Sequence, residues 1–185
     1  MIDPLIPRII AVGFSLMLIG AAWHKLAERQ SFRAVLEDYR LFPAVSLNIL
    51  TWLVPAVEAM LAAAWLFFLV PAVVAGAAMA TALLLAAYAT AIAINLRRDR
   101  AYISCGCGFS PGLENQPLSW TLVVRNLLLI ALALVALLPQ AQRSLGLADH
   151  ALLVLALLVT ALLYIAMMQL LRNRTALRSW SEAHE

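Results

Sequence analysis

The sequence predicts an all-α integral membrane bundle of about five transmembrane helices, and three observations carry that prediction. The 185 residues are 64% hydrophobic and only 12% charged, against roughly 45–50% apolar and about 25% charged in ordinary soluble domains. Five stretches approach the roughly 20 apolar residues needed to cross a hydrocarbon core of about 30 Å. Lipid offers the backbone no hydrogen-bond partner, so each crossing must satisfy its own amides as a helix. The same composition excludes a water-soluble globule and a disordered chain. A net charge of +3 with no basic-aromatic cluster gives no support to a nucleic-acid partner. The bilayer itself is the environment implied.

The first span is expected at about residues 5–23, with Pro7 and Arg8 at its start. Its long apolar run and the acidic Asp3 favour a retained helix over a cleaved signal peptide. The second covers 47–70 and the third 72–96, meeting at Pro71, where a tight turn reverses the chain. The third carries eleven alanines and Gly76; the rows Ala72, Gly76, Ala80 and Ala78, Ala82, Ala86 let helix backbones approach closely. The fourth covers 118–138, with Pro117 in the first helical position and Pro139 ending it. The fifth, 152–171, holds no charge.

Five spans put the termini on opposite sides. Lys25, Arg29, Arg33, Arg40, Arg97, Arg98, Arg100, Arg172, Arg174 and Arg178 then share one face, and Arg8 and Arg143 the other. The positive-inside rule places the first face in the cytoplasm and the amino terminus outside. The loop 97–117 goes with the cytoplasmic face.

Polar residues inside spans are conspicuous. Glu58 sits mid-span after Pro55, where a charge costs about 3 kcal/mol on insertion scales, so it faces protein, pairs or titrates. A hydrogen-bonded lock between two helices and a functional carboxyl explain it equally well. Arg125, with Asn126, lies about two turns into the fourth span. It either snorkels to the interface or reaches toward the preceding loop or Glu58. Thr81, Tyr88 and Asn95 repeat at seven-residue spacing, a thin polar stripe that helix–helix hydrogen bonding explains. His24 closes the first span as an interfacial cap, and His150 and His184 lack partners in the sequence.

The informative segment is Ile103-Ser104-Cys105-Gly106-Cys107-Gly108, which holds both cysteines of the protein. The flanking glycines give the backbone freedom to bring the sulfurs of residues i and i+2 together. A ring that tight is strained and easily reduced. Arg97, Arg98 and Arg100 favour the thiolate, with Asp99 offsetting part of their effect. A redox pair is the leading reading, two incidental thiols the bland one, and soft-metal binding the third. Two thiolates cannot complete a zinc shell, but they can hold Cu(I) or Hg(II). Quinone-coupled chemistry of the vitamin K epoxide reductase type needs a second thiol pair, and the chain has none. Nothing in the sequence requires a cofactor or a resident metal.

These residues resemble the methylamine utilisation protein MauE family, within a wider MauE/DoxX group of redox-associated membrane proteins. The resemblance rests on the Cys105-Gly106-Cys107 block with its basic approach and on Pro117-Leu118-Ser119-Trp120 leading to Arg125-Asn126. Gly20, His24-Lys25-Leu26, Tyr39-Arg40-Leu41-Phe42-Pro43, Pro55 and Glu58 extend it upstream. Ser104 departs from it, since Asp is expected before the first cysteine. The resemblance covers nearly the whole chain and implies a single domain over 1–185, multi-pass in the cell inner membrane.

It further implies a part in processing, export or maturation of the beta subunit of methylamine dehydrogenase. That subunit is periplasmic, carries several disulfides and holds a tryptophan-derived quinone. The implied partner is the thioredoxin-like protein MauD. The expected chemistry is thiol–disulfide exchange at Cys105 and Cys107, with Arg125 stabilising the thiolate and Glu58 relaying a proton. A non-catalytic export or assembly scaffold and a soft-metal transporter are the alternatives. Substrate disulfides form outside while the charge count places the cysteines inside. Either the pair draws electrons from cytoplasmic thiols, or the loop is periplasmic.

Overall fold

A computed structural model describes residues 2–67, 70–100, 103, 118–141, 143, 145–162 and 166. Six helices account for most of them: α1 Leu5–Ala27, α2 Arg29–Tyr39, α3 Ala44–Leu66, α4 Pro71–Arg97, α5 Trp120–Val135 and α6 Leu147–Leu162. The described residues include no strand, only an isolated bridge between Ile2 and Gln140. The all-helical prediction holds. Three helices, α1, α3 and α4, are long and apolar enough to cross a membrane, while α5 and α6 are shorter apolar helices. The chain divides into two compact units, Met1–Ala141 and Gln142–Glu185.

In the first unit α1 opens on Asp3, whose Oδ1 accepts the Leu5 N–H at 2.9 Å. Pro7 falls in the first turn, where a missing amide costs nothing. The helix runs on to Ala27, past the expected end at Trp23, so His24 and Lys25 belong to its last turn. The turn after α3 is closed by the Val70 N–H on the Phe67 carbonyl at 3.0 Å. Pro71 is the first residue of α4, as the reversal at that proline predicts. The fourth span, expected from Leu118, begins two residues later as a helix. Ser119 is the extended N-cap residue and α5 begins at Trp120. Beyond Leu162 the expected fifth span lies largely outside the described residues.

Helix α2 occupies the segment between the first two expected spans. It buries Tyr39 alone, and its length of 11 residues gives about 16 Å, too short to cross a bilayer. Arg40 ends it in the left-handed conformation, with φ 48°. Pro43, extended at ψ 148°, opens α3.

Helix α3 runs antiparallel to both α1 and α4, and side chains fix the register. Trp65 of α3 donates its indole N–H to the Thr81 hydroxyl of α4 at 3.0 Å. Seven residues earlier on α3 and seven later on α4, Glu58 meets Tyr88. Trp65 also stacks on Phe14 of α1 with ring centroids 5.2 Å apart and planes 12° from parallel. These contacts centre a core of Ile10, Ala11, Phe14, Leu18, Ala62, Ala77, Ala78 and Leu85. In lipid such packing rests on close contact and satisfied polar groups rather than on escape from water. Ala78 and Ala82 are buried as the small-residue row predicts, but Ala72 and Gly76 of the other row face outward, with nothing within 4 Å of a Cβ built on Gly76.

The amino terminus is tied to the far end of α5. The Ile2 N–H bonds the Pro139 carbonyl at 2.9 Å, and the Ala141 N–H bonds the Ile2 carbonyl at 2.8 Å. The start of α1 and the end of α5 therefore share one end of the first unit. The end of α4 and the start of α5, which flank residues 104–117, lie at the other.

The second unit has one described helix, α6. Asp149 in its first turn reaches back to the Gly146 N–H at 2.9 Å, a reciprocal cap. Arg143 grips the same carboxylate through two nitrogens at 2.7 and 3.1 Å. His150 also has a partner, the Gly146 carbonyl at 2.9 Å from Nδ1.

Candidate functional site

Cys105 and Cys107 lie outside the described residues, but the two ends of their segment do not. The Leu118 N–H donates to the Ile103 carbonyl at 3.2 Å, so the chain leaves and returns at one point. Ile103 and Leu118 are buried together with Tyr39 of α2 and Ile92 of α4. Val35, Leu41, Leu96, Leu122 and Val123 pack around that cluster. The short helix that the sequence did not announce thus helps hold the root of the cysteine segment.

The arginines near this root differ in burial. Arg97 and Arg98 are exposed, whereas Arg100 is half-buried and its Nη1 is buried with no hydrogen-bond partner. The backbone there is tightly turned. The Asn95 carbonyl accepts the N–H groups of both Arg98 and Arg100, and Asp99 between them has φ 55°. Arg125 is exposed on α5, while Asn126 beside it is 2% exposed and turned inward. Arg125 has no ion pair with Glu58; that partner is another residue.

Glu58, 1% exposed, accepts from Lys25 Nζ of α1 at 2.6 Å and from the Tyr88 hydroxyl of α4 at 2.8 Å, both on Oε1. Three helices meet on one carboxylate oxygen. Lys25 is itself only 7% exposed, although it sits two residues from the end of α1. Side chains of a helix lean toward its amino terminus. A lysine in the last turn therefore points back into the bundle, and here its ammonium lies 5.5 Å from the Tyr88 ring centroid and 5.7 Å from that of Phe32. The other carboxylate oxygen, Oε2, is buried and bonds nothing.

The polar stripe of α4 divides its work. Thr81 serves Trp65, Tyr88 serves Glu58, and Asn95 donates to the Ala91 carbonyl at 3.1 Å. Asn95 Oδ1 and Asn126 Nδ2 are buried without partners. Among the described residues no group of three His, Cys, Asp or Glu is placed to hold a metal.

Sequence reasoning singled out Glu58 and missed its cation. A lysine directly after His24 at the edge of an apolar run reads as interfacial, and Lys25 was counted among the cytoplasmic cations. Its burial takes it out of that count and leaves nine cations facing two. The sign of the charge asymmetry is unchanged. The one available signal was the equal isolation of an acid and a base in two neighbouring spans.

A family model described as methylamine utilisation protein MauE matches residues 4–139, which span α1 to α5 and the cysteine segment. The methylamine utilization protein MauE of Paracoccus denitrificans is 38% identical over 134 residues, 72% of this chain and 69% of that protein. The protein of the same name from Paracoccus versutus is 38% identical over 170 residues, 91% of this chain and 88% of the relative. That from Methylorubrum extorquens is 33% identical over 141 residues, 75% and 73% of the two chains. No solved structure matches. With the match running through every helix of the first unit, the chain belongs to the MauE family of membrane proteins.

Proposed function

We propose that this chain serves methylamine utilisation as a multi-pass inner-membrane thiol–disulfide exchanger that supports maturation of the methylamine dehydrogenase beta subunit. The names of its relatives supply the metabolic setting. The observation that carries the chemical reading is the root of the cysteine segment, bonded between Ile103 and Leu118 and packed by α2, α4 and α5. A closed root on packed helices fixes where the segment carrying both cysteines leaves and rejoins the first unit, and sites supported by helices are held more precisely than sites on loops alone.

The exchange has two steps. A thiolate of the pair attacks a partner disulfide, forming a mixed disulfide and releasing one partner thiolate. The second cysteine attacks that mixed disulfide, which frees the other partner sulfur and closes the Cys105–Cys107 bond. The partner gains two electrons and the pair loses them; the reverse direction oxidises a partner dithiol. The thioredoxin-like protein MauD is the proposed redox partner, and Arg100 and Arg125 the basic groups that favour the thiolate.

The test is the yield of active methylamine dehydrogenase in cells carrying Cys105→Ser or Cys107→Ser in place of the wild-type chain. Exchange predicts that each variant loses most of the yield while still accumulating in the membrane. Full yield from both variants, with none from a deletion, identifies a scaffold instead. Bound Cu(I) that both variants lose, with unimpaired yield, identifies a soft-metal carrier.

A further inference from the structure

Arg29 is a cation without a counter-anion. It is the first residue of α2, and its guanidinium carbon stands 4.4 Å over the ring of Trp52 on α3. A ring face attracts a cation, but it leaves the fork of guanidinium N–H groups without an oxygen to bond. Trp52 itself is 55% exposed, and among the described residues neither side chain has an ion pair or an oxygen acceptor. The acids of this region are placed elsewhere. Glu28 lies 3.9 Å from His24 Nδ1, and Glu37 pairs with Arg33. Asp38 is nine positions along α2 from Arg29, about 180° around the helix and about 14 Å farther on. Glu58, the one acid of α3, is held by Lys25 and Tyr88.

Trp52 also heads an apolar stripe. Ala56, Met60 and Ala63 follow it at helical spacing and are exposed with it. Their helix is long and apolar enough to cross a membrane, so the stripe is positioned against acyl chains. Arg29 follows the last residue of α1, a second such helix, by two positions. Cation and ring therefore stand where an apolar span gives way to the headgroup layer, the level at which tryptophan and arginine anchor membrane proteins.

We propose that Arg29 and Trp52 form a binding site for one anionic phospholipid, its phosphate on the Arg29 guanidinium and its acyl chains along the Trp52–Ala63 stripe of α3. The planar guanidinium matches a phosphate with two parallel N–H bonds. Stacking on Trp52 holds it in one orientation before the lipid arrives, which lowers the ordering cost of binding. A zwitterionic headgroup carries an ammonium that competes for the same phosphate, and an anionic headgroup does not. The site therefore selects lipid by headgroup charge. A single amphiphile satisfies both halves of it, the unpaired cation and the apolar stripe beside it. The proposal is independent of the exchange chemistry.

The test is native mass spectrometry of the purified full chain, released from micelles containing equal amounts of dioleoylphosphatidylglycerol and dioleoylphosphatidylethanolamine. The expected spectrum shows one bound phosphatidylglycerol per chain and little phosphatidylethanolamine. Arg29→Gln should raise the phosphatidylglycerol needed for half occupancy about tenfold, the effect of losing a charge-assisted bond. Arg29→Lys keeps the charge without the fork, and should bind more tightly than Arg29→Gln but less tightly than the parent chain. Trp52→Leu should weaken the adduct. Arg97→Gln, which removes an exposed cation at the end of α4, should leave it unchanged. Equal occupancy by the two lipids, an adduct indifferent to Arg29→Gln, or one equally weakened by Arg97→Gln overturns the proposal. So does a lipid-free dimer that Arg29→Gln or Trp52→Leu dissociates, which would give this face to a second copy of the chain.

Discussion

At the residue scale, Lys25 and Glu58 behave as a unit. Removing one member of a buried ion pair leaves the other charge uncompensated, at a cost of about 3–5 kcal/mol, whereas replacing both can be nearly neutral. Lys25→Met alone should therefore lower thermal stability in detergent more than Lys25→Met with Glu58→Gln. The pair's 2.6 Å separation and near-complete burial place it in that regime. Equal losses from the single and double variants would mean that the ion pair contributes little. Glu58 was legible from sequence because an acid in an apolar run has few innocent explanations. Lys25 was not, because a basic residue at a span's end has an innocent one. The deciding fact is the backward lean of a last-turn side chain, which needs the helix end at Ala27 rather than at Trp23. The pairing of Arg125 and Asn126 was half legible. Adjacent helix positions point about 100° apart, so the sequence pair separates into one exposed and one buried residue.

At the element scale, Asp149 caps α6. Arg143 first, then the Gly146 N–H, hold its carboxyl below the ordinary value of 3.8. A depressed folded-state value means the cap's contribution is complete above 3.8 and fades as the pH falls through the lower value in the folded chain. Amide exchange at Gly146, corrected for its intrinsic pH dependence, should lose protection in strong acid. In Asp149→Asn that acid transition should vanish, with weaker protection already at neutral pH. Retained protection in acid would show that the cap does not depend on the ionised carboxylate. The other elements were legible to different degrees. Apolar length and prolines placed α1, α3 and α4 within a few residues. The start of α5 was misplaced because proline tolerates a first helical turn but does not require one, and here Ser119 is extended at ψ 155°. Helix α2 was invisible for a physical reason. Its sequence, Arg29-Gln30-Ser31-Phe32-Arg33, is polar enough to read as a loop, and its order comes from packing Tyr39 and Val35 against residues far along the chain.

At the scale of the whole molecule, the first unit holds both a buried ion-pair cluster and the root of the cysteine segment. A buried carboxylate joins α1, α3 and α4, and the segment carrying both cysteines is rooted between α4 and α5 at the end of the unit opposite the amino terminus. Composition alone announced the membrane, and the two-cysteine block singled out the segment proposed for exchange. How that segment is rooted was not legible, since the Ile103–Leu118 bond and the buried cluster of Tyr39, Ile92, Ile103 and Leu118 join residues whose proximity no local pattern encodes. Exchange at Cys105 and Cys107 is tested most directly by trapping the mixed disulfide. Full-length chains carrying Cys105→Ser or Cys107→Ser would be isolated from acid-quenched, alkylated cells that also make methylamine dehydrogenase and MauD. One of the two variants should carry a reducible adduct to the beta subunit or to MauD, absent from the double variant. No adduct from either single variant, in cells where the wild-type chain supports full dehydrogenase maturation, would contradict thiol–disulfide exchange.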